Sequence, residues 1–137
     1  MNKKNGYYTN QHSCFLLQYH LVLVTKYRHP VIGGNLKDDL ISHTKNYFSE
    51  RGLVVVEINS DKDHIHILFD AYPNFNVMNF INAFKSSSSR NIRKKYADYL
   101  KKYYWKPYFW SSSYFIGSVS DKTEDVVKNY IKTQGNK

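Results

Sequence analysis

Two histidines one residue apart, His64 and His66, stand in the alternating run DKDHIHILFD (61–70). Alternation puts both imidazoles on one side of a strand and Ile65, Ile67 and Phe69 on the other. A strand rises about 3.3 Å per residue, so the two Cα atoms lie roughly 6.6 Å apart on one face. Imidazoles at that spacing can converge on one metal ion through bonds of about 2.1 Å. With six histidines in the chain, one such pair is a weak signal by itself, and two incidental surface residues are the competing reading. A second group strengthens it. Tyr130 and Gln134 are four apart and share one face of a helix expected over 123–134, while Val127 and Ile131 form an adjacent stripe that can anchor it. Singly, Tyr130 reads as a partly buried aromatic and Gln134 as a solvated amide. Together the four side chains make a usable site: a phenol nucleophile with three neutral ligands. Neutral ligands leave a divalent cation its full charge, which can polarise a phosphodiester and stabilise charge building on its oxygens. A free tyrosine titrates at about pH 10, so a metal or a base must help it attack at neutral pH. Attack on phosphorus would leave a phosphotyrosine and a free 3′-hydroxyl, with the bond energy kept for rejoining.

The elements that must position these groups can be read in order. FLLQYHLVLVTKY (15–27) is apolar on both faces and predicts a central strand. Pro30, Gly33 and Gly34 break it. Asn35 is expected to cap a helix running to about Arg51, with Gly52 as a left-handed stop. Residues 53–59 and 64–70 read as a hairpin around SDKD. Asn76 caps a second helix whose Val77, Phe80, Phe84 and Ile92 recur near helical spacing. Residues 113–120 give a fourth strand, and the terminal helix follows. The order is β-α-β-β-α-β plus one helix, the ferredoxin-like α+β pattern of an antiparallel sheet with helices on it. Residues 1–13 are polar and read as a loose arm. One domain over 1–137 is expected.

Twenty Lys and Arg against eleven Asp and Glu give a formal charge of +9, which favours a polyanionic partner. The charge has a pattern. Lys85, Arg90, Arg93, Lys94 and Lys95 lie along the second helix and its exit, and Ser86–Ser89, including Ser87 and Ser88, would let a phosphate approach. KKYYWKPYFW (101–110), with Lys106, alternates cations with large rings, as a groove for unpaired strands requires. A merely solvated charged face is the alternative, and Trp105 and Trp110 read as packed rather than stacked on bases. Asp61 and Asp63 read as turn residues or as carboxylates behind the histidines, Asp61 being the candidate for that second role. A single cysteine, Cys14, excludes an intrachain disulfide and a cysteine-built zinc site. No apolar run approaches the roughly 18 residues needed to span a bilayer, and MNKKNGYYTN has no apolar signal core. A cytoplasmic protein is expected.

The sequence resembles the single-tyrosine transposases of the insertion sequence 200/605 family, in the HUH (His-hydrophobe-His) class. The matching stretches are YHLVLVTKYRHPVI (19–32), VVEINSDKDHIHILFD (55–70), FKSSSSRNIRKKY (84–96), YYWKPYFWSSSYFIGSVS (103–120) and VVKNYIKTQ (126–134). They run in family order over nearly the whole chain. The resemblance implies that His64 and His66 are metal ligands, Tyr130 the nucleophile and Gln134 a third protein ligand, with Mg²⁺ or Mn²⁺ as the metal. It implies an endonuclease and strand transferase acting on single-stranded DNA marked by imperfect hairpins, in a prokaryotic cytosol or nucleoid. It also implies a homodimer in which each terminal helix completes the partner's site. Two departures, Ser86 where many relatives have Gly and Ser111–Ser113 where basic residues are common, bear on DNA preference. The rival readings are a catalytically silent hairpin DNA- or RNA-binding regulator of the same fold, and a small metal-dependent hydrolase. The hydrolase lacks an obvious carboxylate pair.

Overall fold

A strand that is apolar on both faces needs cover on both, and this requirement organises the architecture. The computed structural model describes residues 3, 4, 6–119 and 123–133. In chain order the elements are β1 (Lys3–Lys4), β2 (Tyr7–Thr9), β3 (Cys14–Phe15) and β4 (Leu17–Thr25), then a short 3-10 turn (Lys26–Arg28). There follow α1 (Gly34–Glu50), β5 (Val54–Asp61), β6 (His64–Ala71), α2 (Val77–Lys95), α3 (Ala97–Leu100), β7 (Trp110–Ser118) and α4 (Thr123–Thr133). The main sheet has the order β5-β6-β4-β7, and every neighbouring pair is antiparallel. This is the expected mixed α+β architecture, with β4 inside the sheet.

One face of β4 and β6 supplies Leu21, Leu23, Ile65, Ile67 and Phe69 to the core beneath α1 and α2. There Phe48 meets Phe69, Phe80 and Phe84 edge-on, with centroids 5.1, 4.8 and 5.2 Å apart. Such pairs add about 0.5–1.5 kcal/mol each beyond their burial. The other face of β4 presents Val22 and Val24, which pack with Val127 of α4 in a second, smaller cluster.

Several boundaries differ from expectation for local reasons. Asp61 pairs with His64, so the hairpin closes on Lys62 and Asp63 alone. Asn35 is not the cap of α1. Gly33 holds that position in extended conformation without a side-chain bond, while Gly52 (φ 77°) is the left-handed stop anticipated. Asn76 caps α2, its side chain accepting from Asn79 N–H at 3.1 Å. β7 begins at Trp110 rather than 113, because Thr25 pairs with Trp110.

Within residues 1–13, expected to be a loose arm, Lys3–Lys4 and Tyr7–Thr9 are strands that join Cys14–Phe15 in the antiparallel sheet β1-β2-β3. Its anchor is Tyr8, 2% exposed, whose hydroxyl donates to Asp70 Oδ2 at 2.5 Å. Asn10 turns β2 into β3 by accepting from the backbone N–H groups of His12 (2.9 Å) and Ser13 (2.7 Å). A polar composition concealed one apolar anchor matched to a buried carboxylate.

Candidate active site and nucleic-acid groove

β6 alternates as its sequence requires, so His64 and His66 lie on the face opposite the core, with Ile65 and Ile67 fully buried on the other. His64 Nδ1 donates to Asp63 Oδ1 at 2.9 Å. That bond fixes the ring and leaves Nε2 with the lone pair, the arrangement typical of a metal-ligating imidazole. Burial alone would raise the Asp63 pKa. Hydrogen bonds from His64 and Arg28, with the Arg28 charge, outweigh it and hold the carboxyl below its ordinary range. The carboxylate behind His64 is therefore Asp63. Asp61, the candidate from sequence, ends β5, where its Oδ1 accepts from Lys62 N–H at 2.8 Å.

His66 has a partner that its spacing could not reveal. Its Nε2 lies 2.7 Å from Nδ1 of His20 on β4, with the rings 4.9 Å apart. Burial, and then the His20 imidazole, push the His66 pKa down, so the ring is kept neutral, as a ligand must be. A metal using Nε2 of His66 has to displace the His20 bond. Among the described residues no group of three or more His, Cys, Asp or Glu is placed to hold a metal ion. Two imidazoles, one oriented by a carboxylate, fit a divalent cation as part of a donor set. Gln134, the expected third ligand, lies outside the described residues.

Tyr130 reaches the same sheet face. α4 docks through Val127, 2% exposed, on Val22 and Val24, and the Tyr130 ring lies 5.6 Å from that of Phe115. The phenol oxygen is 3.5 Å from Ser113 Oγ on β7. Gly117 makes room for this arrangement. A Cβ there would come within 2.8 Å of the Phe115 ring. α4 thus lies on its own chain's sheet. A further contact that the sequence did not signal joins it to the histidines: Arg28 Nε donates to Asp63 Oδ2 at 3.0 Å and Nη1 to the Ile131 carbonyl at 2.5 Å.

The basic helix and the aromatic run meet in two adjoining hollows. One, of about 320 Å³, is lined by Lys85, Ser86, Ser89, Arg90, Arg93 and the segment Pro107–Trp110. The other, about 290 Å³, shares Arg93, Pro107 and Tyr108 and adds Lys101, Tyr104, Trp105 and Lys106. Two serine candidates do not face it. Ser88 is fully buried, donating to the Phe84 carbonyl at 2.7 Å and accepting from Trp110 Nε1 at 2.9 Å. Ser87 contacts His43 of α1 at 3.1 Å. Helical phase turns Ser86 and Ser89 to the groove instead. Lys94 is exposed at the end of α2. Lys85 donates to the carbonyl of Ser111 at 2.8 Å, and burial lowers its pKa. Trp110 is packed as expected, but Trp105 is 76% exposed, with Lys106 Nζ 4.6 Å from its ring centroid. Lys85 thereby ties the groove to β7, the strand that also carries Ser113.

Known proteins with this sequence and shape agree with one another. The family profile described as "Transposase IS200 like" matches residues 13–134. The ISDra2 transposase TnpA of Deinococcus radiodurans is 33% identical over 137 residues, covering 100% of this chain and 93% of its own length. The transposase of insertion sequence element IS200 from Salmonella typhimurium is 28% identical over 123 residues, 90% of this chain and 80% of its own. Among solved structures, a Deinococcus radiodurans transposase superposes with a TM-score of 0.81 at 30% identity, over 100% of both chains. A REP-associated tyrosine transposase bound to a REP hairpin gives 0.51 at 11% identity, over 98% of this chain and 76% of its own, a likeness of fold alone.

Proposed function

The chain belongs to the IS200-like transposase family, and from that premise we propose that it cuts and rejoins single-stranded DNA through a covalent bond to Tyr130. The observation that carries this reading is the shared sheet face: Tyr130 on α4 and a His64 imidazole oriented by Asp63 on β6. The Tyr130 oxygen attacks a backbone phosphorus and loses its phenolic proton. The bond from phosphorus to the 3′-oxygen breaks, and that oxygen leaves protonated as a 3′-hydroxyl. The product is a 5′-phosphotyrosine. A second 3′-hydroxyl then attacks the same phosphorus, returns the proton to the tyrosine oxygen and completes strand transfer without ATP. His64 and His66, with Gln134, would hold Mg²⁺ or Mn²⁺, which neutralises charge developing on the phosphate. Asp63 keeps Nε2 of His64 aimed outward, and burial keeps His66 neutral.

Hairpin-marked DNA is the proposed substrate. The basic groove offers Arg90, Arg93 and Lys106 to phosphates and Trp105 to a base, and a relative in fold is bound to a REP hairpin. A homodimer is proposed as the working form. The test is a denaturing gel of wild type, Tyr130→Phe, His64→Ala and His66→Ala with single-stranded hairpin DNA and saturating Mn²⁺. Wild type should form a covalent protein–DNA adduct. Tyr130→Phe should form none, and each histidine variant should lose at least 100-fold in rate while keeping hairpin affinity. An adduct with Tyr130→Phe would refute the nucleophile. No adduct with wild type would favour a silent hairpin-binding regulator.

A further inference from the structure

Arg28 touches both halves of this site. Its Nε donates to Asp63 Oδ2 at 3.0 Å, and the other Asp63 oxygen accepts from His64 Nδ1 at 2.9 Å. Its Nη1 donates to the carbonyl of Ile131, the residue after Tyr130, at 2.5 Å. That carbonyl lies in the last described turn of α4, and a cation is favoured toward the C-terminal end of a helix. One guanidinium, with its side chain 18% exposed, therefore spans from a histidine's supporting carboxylate to the nucleophile's helix.

The backbone is shaped to deliver it. Tyr27 and Arg28 both have positive φ, 58° and 52°, although neither is glycine. Side chains disfavour that region, and it persists only where the surroundings fix it. Here Thr25 N–H donates to the Asp63 carbonyl at 2.9 Å, and Thr25 Oγ1 to the His29 carbonyl at 2.8 Å. Lys26 N–H donates to the Phe109 carbonyl at 2.9 Å, and its own carbonyl accepts from the Tyr104 hydroxyl at 2.8 Å. The strained turn is clamped on each side, and Arg28 is what it projects.

We propose that Arg28 is a positioning residue for strand cleavage: it locks α4 to the His64 end of β6, so that Tyr130 and the histidines keep one geometry. The proposal rests on the reading of Tyr130 as nucleophile. It asks only for an α4 on this face, from the same chain or from a second copy. The fork is needed because a lysine ammonium is a point donor and cannot hold Asp63 and the Ile131 carbonyl in the same planar geometry.

The test has three readouts: single-turnover adduct formation on hairpin DNA with Mg²⁺, hydrogen exchange of the α4 amides without DNA, and hairpin Kd against salt. For Arg28→Gln the adduct rate should fall at least tenfold and α4 protection should drop, with Kd and salt slope unchanged. Arg28→Lys should recover part of the rate. Asp63→Asn combined with Arg28→Gln should be no slower than the slower single variant, because both break one chain of contacts. If Arg28→Gln does not fold, Arg28→Lys carries the same comparison, and its rate must fall below wild type. Wild-type adduct rates or unchanged α4 exchange would overturn the proposal. A Kd that weakens in step with the rate, with a shallower salt slope, would overturn it in favour of a phosphate contact. An adduct in Tyr130→Phe would instead remove the nucleophile reading, and α4 exchange would still decide whether Arg28 holds the helix.

Discussion

Trp105 leaves 76% of its surface in water beside Lys106, Tyr108 and the basic face of α2. So much exposed indole adds little to folding, but it is a platform on which an unpaired base can stack, worth about 1–3 kcal/mol per base. Trp105→Ala should weaken binding of single-stranded hairpin DNA by roughly 5- to 150-fold, with a thermal midpoint within about 2 °C of wild type because the site is on the surface. Fluorescence anisotropy and a melting curve check both, and an unchanged Kd would remove the stacking role. Sequence patterning had suggested a packed ring, since exposure of a single tryptophan is decided by the loop around it. The same limit applies inside the site. His64 and His66 were legible because strand alternation alone sets their face. Asp63 rather than Asp61 backs His64 because pairing drew Asp61 into the strand, leaving Asp63 in the turn. His20 stood in an apolar run with no local signal. Only the register of β4 on β6 brings it to His66.

At the scale of elements, periodicity gave the order of the four main-sheet strands and the three long helices but not β1–β3 or α3, while the ends followed tertiary pairing, as at Trp110 and Asp61. The serine run of α2 shows why. Four identical side chains carry no phase, so only packing against α1 and β7 turned Ser87 and Ser88 inward and left Ser86 and Ser89 at the groove. The α1–α2 contact also has a titrating member. His43 meets Ser87 at 3.1 Å. Burial lowers its pKa, with smaller effects from Glu50, which raises it, and from Arg51 and Lys95, which lower it. In the unfolded chain a histidine protonates at about pH 6.5. As pH falls below that value, the unfolded state gains a proton that the folded state still refuses. Stability from this group is therefore present above about pH 6.5 and lost as pH falls through the lower folded value. Thermal melts between pH 7.5 and 5.5 should show a falling midpoint, and His43→Gln should make the decline shallower. Superimposable slopes for the two proteins would show that His43 does not contribute.

Across the whole molecule, α4 stands apart from the main core. Its described apolar contacts are a small cluster of Val22, Val24, Phe115 and Val127 with Tyr130 and Ile131, apart from the main core. An element held by so few contacts opens at lower free energy than the sheet beneath it. Only residues 119–122 join it to β7, a span of at most about 18 Å from strand end to helix start, so α4 can reach a second copy only if that copy lies close to the end of β7. A second copy presents the same valines, the same Phe115 and the same Arg28. Exchange of α4 between two chains would therefore restore every contact it breaks, and such swaps are a low-cost route to a dimer. For the proposed homodimer with exchanged α4, mixing a His64→Ala/His66→Ala chain with a Tyr130→Phe chain should restore adduct formation. One composite site would unite the intact tyrosine of the first with the intact histidines of the second. Random pairing makes about half of the dimers mixed, and each carries one competent site of two, so activity should approach a quarter of wild type under saturating DNA. Differently tagged chains, co-purified after exchange, establish that mixed dimers are present. If those dimers form no adduct, α4 acts only on its own sheet, in the docked position seen here.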